Sequence, residues 1–81
     1  MPVTPLYSAD KYTYRVLWSE EHQRYVGVCS EFPEWHYEAQ THNEALAGII
    51  SRVTIEVERK RKAGEEVPVP LSIQRFKGGA R

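Results

Sequence analysis

The 81-residue sequence contains one cysteine, Cys29, and its longest apolar run covers only the six residues from 45 to 50. A single cysteine excludes an intrachain disulfide framework and is typical of a reducing compartment. A membrane-spanning helix needs about 20 apolar residues, and no basic residue precedes Lys11 to begin a signal peptide. We therefore expect a cytoplasmic protein with no membrane segment.

The charges are balanced over the whole chain but not along it. The formal net charge is zero, with eleven basic and eleven acidic residues. Residues 1–58 hold four basic and nine acidic side chains, whereas residues 59–81 hold seven basic and two acidic ones. An acidic body of net charge −5 thus precedes a basic end of net charge +5, and each can attract an oppositely charged partner.

Three segments have the alternating pattern of β-strands, at 12–19, 24–30 and 35–40. In the first, the apolar side of the alternation consists of aromatic and β-branched residues. The polar residues 20–23 have the length of a hairpin connection, and Pro33 separates the second strand from the third because proline cannot donate to a ladder. Gly27 predicts a bulge in the second strand, or a neighbouring ring lying across the backbone.

A long helix is predicted over 42–63. Thr41 and Glu44 form a capping box at its start, and Gly64 follows its end as a C′ residue. Spacings of three and four define a buried stripe and an outward face that includes Glu56. The buried stripe consists of Leu46, Ile49, Ile50, Val53 and Val57.

These elements predict an α+β fold: a three-stranded antiparallel sheet, one long helix and a short C-terminal strand over 71–76. Residues 1–11 are expected to form a flexible arm, 12–76 a single domain and 77–81 a flexible tail. One helix covers one face of a sheet, and a chain this short buries little surface by itself. A homo-oligomer, either a dimer or a tetramer, is therefore expected.

Aromatic side chains concentrated on the strands are the candidates for a protein interface, since they combine contact area with a polar handle. Some of them must instead form the core beneath the helix, and the pattern leaves that division open, although Val16 and Trp18 are expected to need cover. The interface candidates are Tyr12, Tyr25, Phe32, Trp35 and Tyr37.

The basic run Arg59, Lys60, Arg61 and Lys62 is a candidate nucleic-acid contact. The alternative is structural, because cations stabilise a helix C-terminus and can pair with Glu56 and Glu58. The run contains no aromatic platform for bases, so we expect nucleic-acid binding to be absent.

Five segments in order resemble the HicB family of antitoxins, and together they span about residues 12–72. They are the strand 12–19, the run 25–29, the triplet Glu31-Phe32-Pro33, the helical residues 44–49 and the segment 64–71. The resemblance implies a partial RNase H-like β-β-β-α-β domain that packs against a small RNA-cleaving toxin, HicA, and covers its active site. Family members often continue into a DNA-binding segment, but only ten residues follow Leu71 here.

Catalysis is not expected, because an active RNase H fold needs several clustered carboxylates for two metal ions. Asp10 is the only aspartate, and the strand interiors offer only Glu38. Cys29 and His36 could form a thiol–imidazole pair, but nothing supplies an oxyanion hole. The separations in sequence among Cys29, His22, His36 and His42 match no short zinc-ligand motif. We expect the protein to have no enzymatic activity and to bind no metal or cofactor.

The predicted function is toxin masking, and the alternative is a stand-alone homo-oligomeric scaffold without a toxin.

Overall fold

The computed structural model describes residues 9–71. A short 3₁₀ turn, Ala9–Lys11, precedes three strands and one helix. The strands β1 (Tyr14–Ser19), β2 (Arg24–Cys29) and β3 (His36–Ala39) form one antiparallel sheet in the order β1-β2-β3, and α1 (His42–Lys62) follows. This α+β arrangement confirms the predicted fold class. The predicted strand over 71–76 and the tail lie, apart from Leu71, outside the described residues.

The strand register places the aromatic side of β1 toward the helix. Gly27 of β2 pairs with Val16 on one side and Tyr37 on the other, and the backbone of Gly27 lies directly beneath Ala45 and Ile49 of α1. Since side chains alternate, the neighbouring pair Leu17 and Val26 points to the opposite face. No helix or strand among residues 9–71 packs on that face.

Gly27 allows close contact between sheet and helix, not a bulge. Pairing continues through this residue on both sides, so the predicted bulge is wrong. A Cβ atom at position 27 would lie 2.5 Å from the carbonyl oxygen of Ala45 and 2.8 Å from Cγ2 of Ile49. The absence of a side chain therefore sets the distance at which α1 packs on the sheet.

Both ends of α1 are capped, at the N-terminus by the Thr41 half of the predicted capping box and at the C-terminus by Gly64. The Thr41 hydroxyl accepts a hydrogen bond from the amide of Glu44 at 3.1 Å. At the C-terminus Gly64 adopts φ 76°, and its amide bonds to the carbonyl of Arg61 while that of Glu65 bonds to Lys60. These two bonds form a Schellman motif, which ends the helix and turns the chain back.

The core lies between the helix and the sheet and continues along the C-terminal half of the helix. Ile49 and Val53 are fully buried, which confirms the predicted stripe. Ala9 is also buried, so the packed domain includes residues that the sequence assigned to a flexible arm. The remaining core residues are Tyr12, Cys29, Phe32 and Val57, with Tyr14, Trp35, Leu46, Ile50 and Val67 packed against them.

Glu56 corrects the predicted outward face of α1, because only 8% of it is exposed. Arg59 donates two hydrogen bonds to its carboxylate, and the Lys60 ammonium lies 4.0 Å away. The side chain is thus enclosed by its own helix neighbours, and the hydrogen bonds from Arg59 hold the pKa of Glu56 below its ordinary value. Within residues 9–71, no helix combines the length and hydropathy needed to cross a membrane.

Candidate protein-binding surfaces

Two of the five interface candidates lie in the core. Tyr12 is 5% exposed and Phe32 is 2% exposed, and their rings meet edge to face at 5.5 Å. The Tyr12 hydroxyl donates a hydrogen bond to the carbonyl of Pro68 at 2.7 Å. These side chains join the start of the sheet to the segment after α1, and they present almost no surface to a partner.

Trp35 is half-buried immediately before β3 and packs against the core. The guanidinium carbon of Arg52 lies 4.3 Å from the ring centroid, and this cation–π contact joins α1 to the residue that precedes β3. Tyr25 is half-buried as well, whereas Tyr37 is 44% exposed and its ring lies against Gly48 of α1. Of the five candidates, Tyr37 is the most exposed.

A second exposed aromatic, Trp18, lies at the end of β1 and is 49% exposed. The sequence argument expected the helix to cover it, but α1 lies mainly over β2 and β3. Trp18 meets the Tyr25 ring at 5.1 Å, and Tyr25 in turn meets His42 at 5.8 Å. The exposure of Trp18 had one indication in the sequence, which is its position one residue before the end of the strand. A helix over β2 and β3 does not cover that end of β1.

Two carboxylates follow Trp18 in the hairpin turn. The indole nitrogen of Trp18 donates a hydrogen bond to Glu20 at 2.8 Å, and Glu21 follows in the exposed turn. Glu38 points to the other face of the sheet, because it pairs in register with Val26, and there its carboxylate lies 2.7 Å from Nδ1 of His22. We call the surface on the helix side of the sheet the hairpin patch; it consists of Trp18, Glu20, Glu21 and Tyr25.

An open groove of 710 Å³ follows the outer edge of β3, the strand that ends the described sheet. One wall is β3 itself with Arg24 and Gln40, and the other is a single face of α1. We call it the β3 groove. Its helix wall consists of Glu44, Ala47, Gly48, Ser51, Arg52 and Ile55, and Ile55 is 67% exposed.

A polar cluster under the first strand is structural. Glu31 accepts hydrogen bonds from the amide of Thr13 at 2.9 Å, the Thr13 hydroxyl at 3.1 Å and the amide of Leu71 at 2.7 Å. Burial by itself raises the pKa of Glu31, but the amides of Leu71 and Thr13 outweigh it, and the pKa lies below the ordinary value. Burial, together with nearby negative charge, raises the pKa of Tyr14, whose hydroxyl donates to the carbonyl of Ala9.

The structure does not bring the candidate nucleophile and base together. Cys29 points into the core and is 1% exposed, and burial raises the pKa of its thiol to about 11. His36 is exposed and pairs in register with Val28, so its side chain points to the opposite face of the sheet. Among residues 9–71, no three His, Cys, Asp or Glu side chains converge as metal ligands.

At the C-terminal end of α1, three of the four basic side chains form ion pairs. Arg59 and Lys60 pair with Glu56, Lys60 also pairs with Glu65 at 3.4 Å, and Arg61 pairs with Glu58. These ion pairs are the ones expected if the basic run stabilises the end of the helix, which was the alternative to nucleic-acid contact. Glu58, which the sequence offers as a partner for this basic run, pairs with Arg61 three residues later.

The HicB resemblance remains a prediction from the sequence, since the fold of residues 9–71 is compatible with it without identifying it. A three-stranded sheet followed by a helix hosts many functions. Comparison of this chain with protein-family models, with curated proteins and with solved structures finds no match in any of the three.

Proposed function

We propose that this chain is a non-catalytic, antitoxin-type protein of the cytoplasm that binds a HicA-like, RNA-cleaving toxin and masks it. The observation that carries the proposal is the hairpin patch. There, an exposed tryptophan, Trp18, stacks edge to face on Tyr25 beside Glu20 and Glu21. The HicB resemblance of the sequence supplies the identity of the partner.

The chemistry of the patch suits a basic protein. Tryptophan and tyrosine supply large contact areas at low entropic cost and are the residues most often found at binding hot spots. Its carboxylates, Glu20 and Glu21, belong to the acidic part of the chain, residues 1–58, with net charge −5. A protein that binds RNA presents cations, and complementary charge accelerates association and orients the docked partner.

A non-catalytic role is supported by the placement of the reactive groups. Cys29 is enclosed in the core with a raised pKa, and His36 lies on the other face of the sheet. Glu31 holds backbone amides with its carboxylate oxygens. Masking a partner requires a complementary surface and no chemistry of its own.

The test is affinity capture from native cell extract at about 0.15 M salt, where charges are screened beyond about 8 Å. The wild-type chain is expected to retain a small basic protein in stoichiometric amount. Addition of the chain should inhibit RNA cleavage by that protein. Trp18→Ala is expected to weaken binding at least tenfold, as truncation of a hot spot does.

Tyr37→Ala is the matched control, because it removes an exposed aromatic outside the hairpin patch. Equal loss of binding in both variants would contradict the assignment of the patch. Recovery of the wild-type chain alone would contradict toxin masking.

A stand-alone homo-oligomeric scaffold is the second candidate, and the β3 groove favours it. The outer edge of β3, which pairs with no strand among residues 9–71, lies beside an exposed helix face, and another copy can occupy such a surface. Capture of the chain alone, as a defined oligomer, would support this function in place of the first.

A further inference from the structure

The outer edge of β3 has no strand partner among residues 9–71, although the groove beside it is open and bounded by α1. An edge strand presents a row of backbone donors and acceptors that a strand of another chain can complete. The strand is four residues long, so the pairing must be short and must gain further contacts from the helix wall.

We propose that this edge pairs antiparallel with β3 of a second copy about a two-fold axis through Tyr37, giving a continuous six-stranded sheet. The dimer is independent of toxin binding, which uses the hairpin patch. Two features of the sequence, one on the strand and one on the helix, make the groove complementary to itself in this register.

The first feature is the charge order along β3. In an antiparallel pair, opposite residues project from the same face of the sheet, so a two-fold axis perpendicular to the sheet must pass through a residue. An axis at Glu38 would oppose two carboxylates, and an axis at His36 would oppose two imidazoles. With the axis at Tyr37, His36 of each copy lies opposite Glu38 of the other, and the two Tyr37 rings meet.

The second feature is the charge order along α1. Tyr37 lies directly against Gly48, so Gly48 is at the same level as the axis along the strand direction. A two-fold rotation perpendicular to the sheet makes the two helices antiparallel. Glu44 and Arg52 lie four residues, or about one turn, to either side of Gly48, and both line the groove. Rotation therefore brings Glu44 of each copy opposite Arg52 of the other.

Small residues on the helix wall permit the approach. Ala47, Gly48 and Ser51 lie between the two charged positions and have short side chains. The cation–π contact of Arg52 with Trp35 holds the guanidinium beside β3 and leaves its N–H groups able to donate to a carboxylate. The β3 groove of each copy thus carries both members of each charged pair, as an isologous interface requires.

The decisive experiment is a charge exchange in the purified chain, followed by sedimentation equilibrium without any toxin. Wild type is expected to dimerise. Glu44→Arg and Arg52→Glu are each expected to raise the dimer dissociation constant roughly tenfold or more, because each places like charges together twice. The double variant Glu44→Arg/Arg52→Glu restores opposite charges and is expected to return within about threefold of wild type.

Arg15→Glu is the control, since Arg15 is an exposed strand arginine on the face away from α1. It should leave the dissociation constant unchanged. Circular dichroism and thermal unfolding of every variant separate a lost interface from a lost fold.

The register is tested by crosslinking. In the proposed dimer, the two copies of position 37 face each other with Cα atoms about 4.5–5.5 Å apart, a separation that a disulfide can bridge. Tyr37→Cys in a Cys29→Ser background should therefore form a covalent dimer on mild oxidation, and Arg15→Cys in that background should not. A chain that stays monomeric at millimolar concentration would overturn the proposal, as would a double variant no tighter than either single one. Neither result would affect toxin binding by the hairpin patch.

Discussion

The backbone amide of Leu71 donates a hydrogen bond to Oε2 of Glu31 at 2.7 Å, across 40 positions of sequence. The other oxygen of the same carboxylate accepts the amide of Thr13 at 2.9 Å. One side chain at the end of β2 therefore holds both the residue before β1 and the segment that returns after α1. With the Tyr12 hydroxyl bonded to Pro68, this contact fixes the path of the chain beyond the helix.

Glu31→Gln is expected to reduce the free energy of unfolding by about 1–3 kcal/mol, because hydrogen bonds to a charged acceptor are replaced by weaker neutral ones. Urea denaturation measures the loss. Glu34→Gln, at an exposed position three residues later, is the control and should change stability by less than about 0.5 kcal/mol. Equal losses of unfolding free energy in both variants would show that Glu31 has no special structural role.

The same contact predicts a dependence of stability on pH. The folded pKa of Glu31 lies below its ordinary value, so its contribution is complete above about pH 4.3, the unfolded value for glutamate. The contribution is lost as pH falls from there through the lower folded pKa. Unfolding free energies measured between pH 6 and pH 2.5 should therefore fall less steeply for Glu31→Gln than for wild type. Parallel curves would contradict the shift, since Glu56 contributes equally to both.

Cys29 is expected to resist thiol reagents in the folded chain. Burial raises its pKa to about 11 from an ordinary 9.0, which by itself lowers the thiolate fraction at pH 8 about 100-fold. Its 1% exposure slows the reaction further. The labelling rate with iodoacetamide should rise at least 100-fold when urea unfolds the chain. Similar rates with and without urea would show that the thiol is accessible.

Alanine substitutions at Gly27 and at Gly48 should have different effects on stability. At Gly27 the added methyl group meets the backbone of Ala45, which cannot move away, so Gly27→Ala is expected to cost about 1–3 kcal/mol. At Gly48 the obstacle is the exposed ring of Tyr37. In a Tyr37→Ala background, Gly48→Ala should therefore stabilise the helix by up to about 1 kcal/mol. Chemical denaturation in dilute solution, where self-association does not contribute, measures both effects.

If Gly48→Ala has the same cost with and without Tyr37, the ring is not the obstacle. If Gly27→Ala is neutral, α1 does not rest on the backbone of β2.

Local features of the sequence were sufficient to predict the elements. The alternation in 12–19 predicted β1, and the Thr41 cap and Gly64 predicted the limits of α1 to within one residue. Such signals act through neighbouring residues, and so they can be recognised without knowing the fold. Glu56 shows where this fails, because its spacing predicts an exposed position and the enclosure by Arg59 and Lys60 depends on side-chain conformation.

The binding surfaces could be predicted only in part. Of the interface candidates, Tyr37 is 44% exposed, but Tyr12 and Phe32 are buried, and Trp18 is half exposed although it was expected to need cover. All of these lie in apolar patterns that look alike along the chain. Which of them becomes surface depends on where the helix crosses the sheet, and that is a contact between distant residues.

The sequence by itself determined the strand pattern, the helix with its caps, and the separation of an acidic body from a basic end, since each depends on residue type and spacing. The tertiary structure decided which aromatic rings are exposed, that Cys29 and His36 point to opposite faces, and that Glu31 binds the returning chain. These facts follow from the register of β2 and from the position of α1 over β2 and β3, where Gly27 lets the helix approach. Periodicity gives the face of a side chain, but only packing between elements decides whether that face is covered.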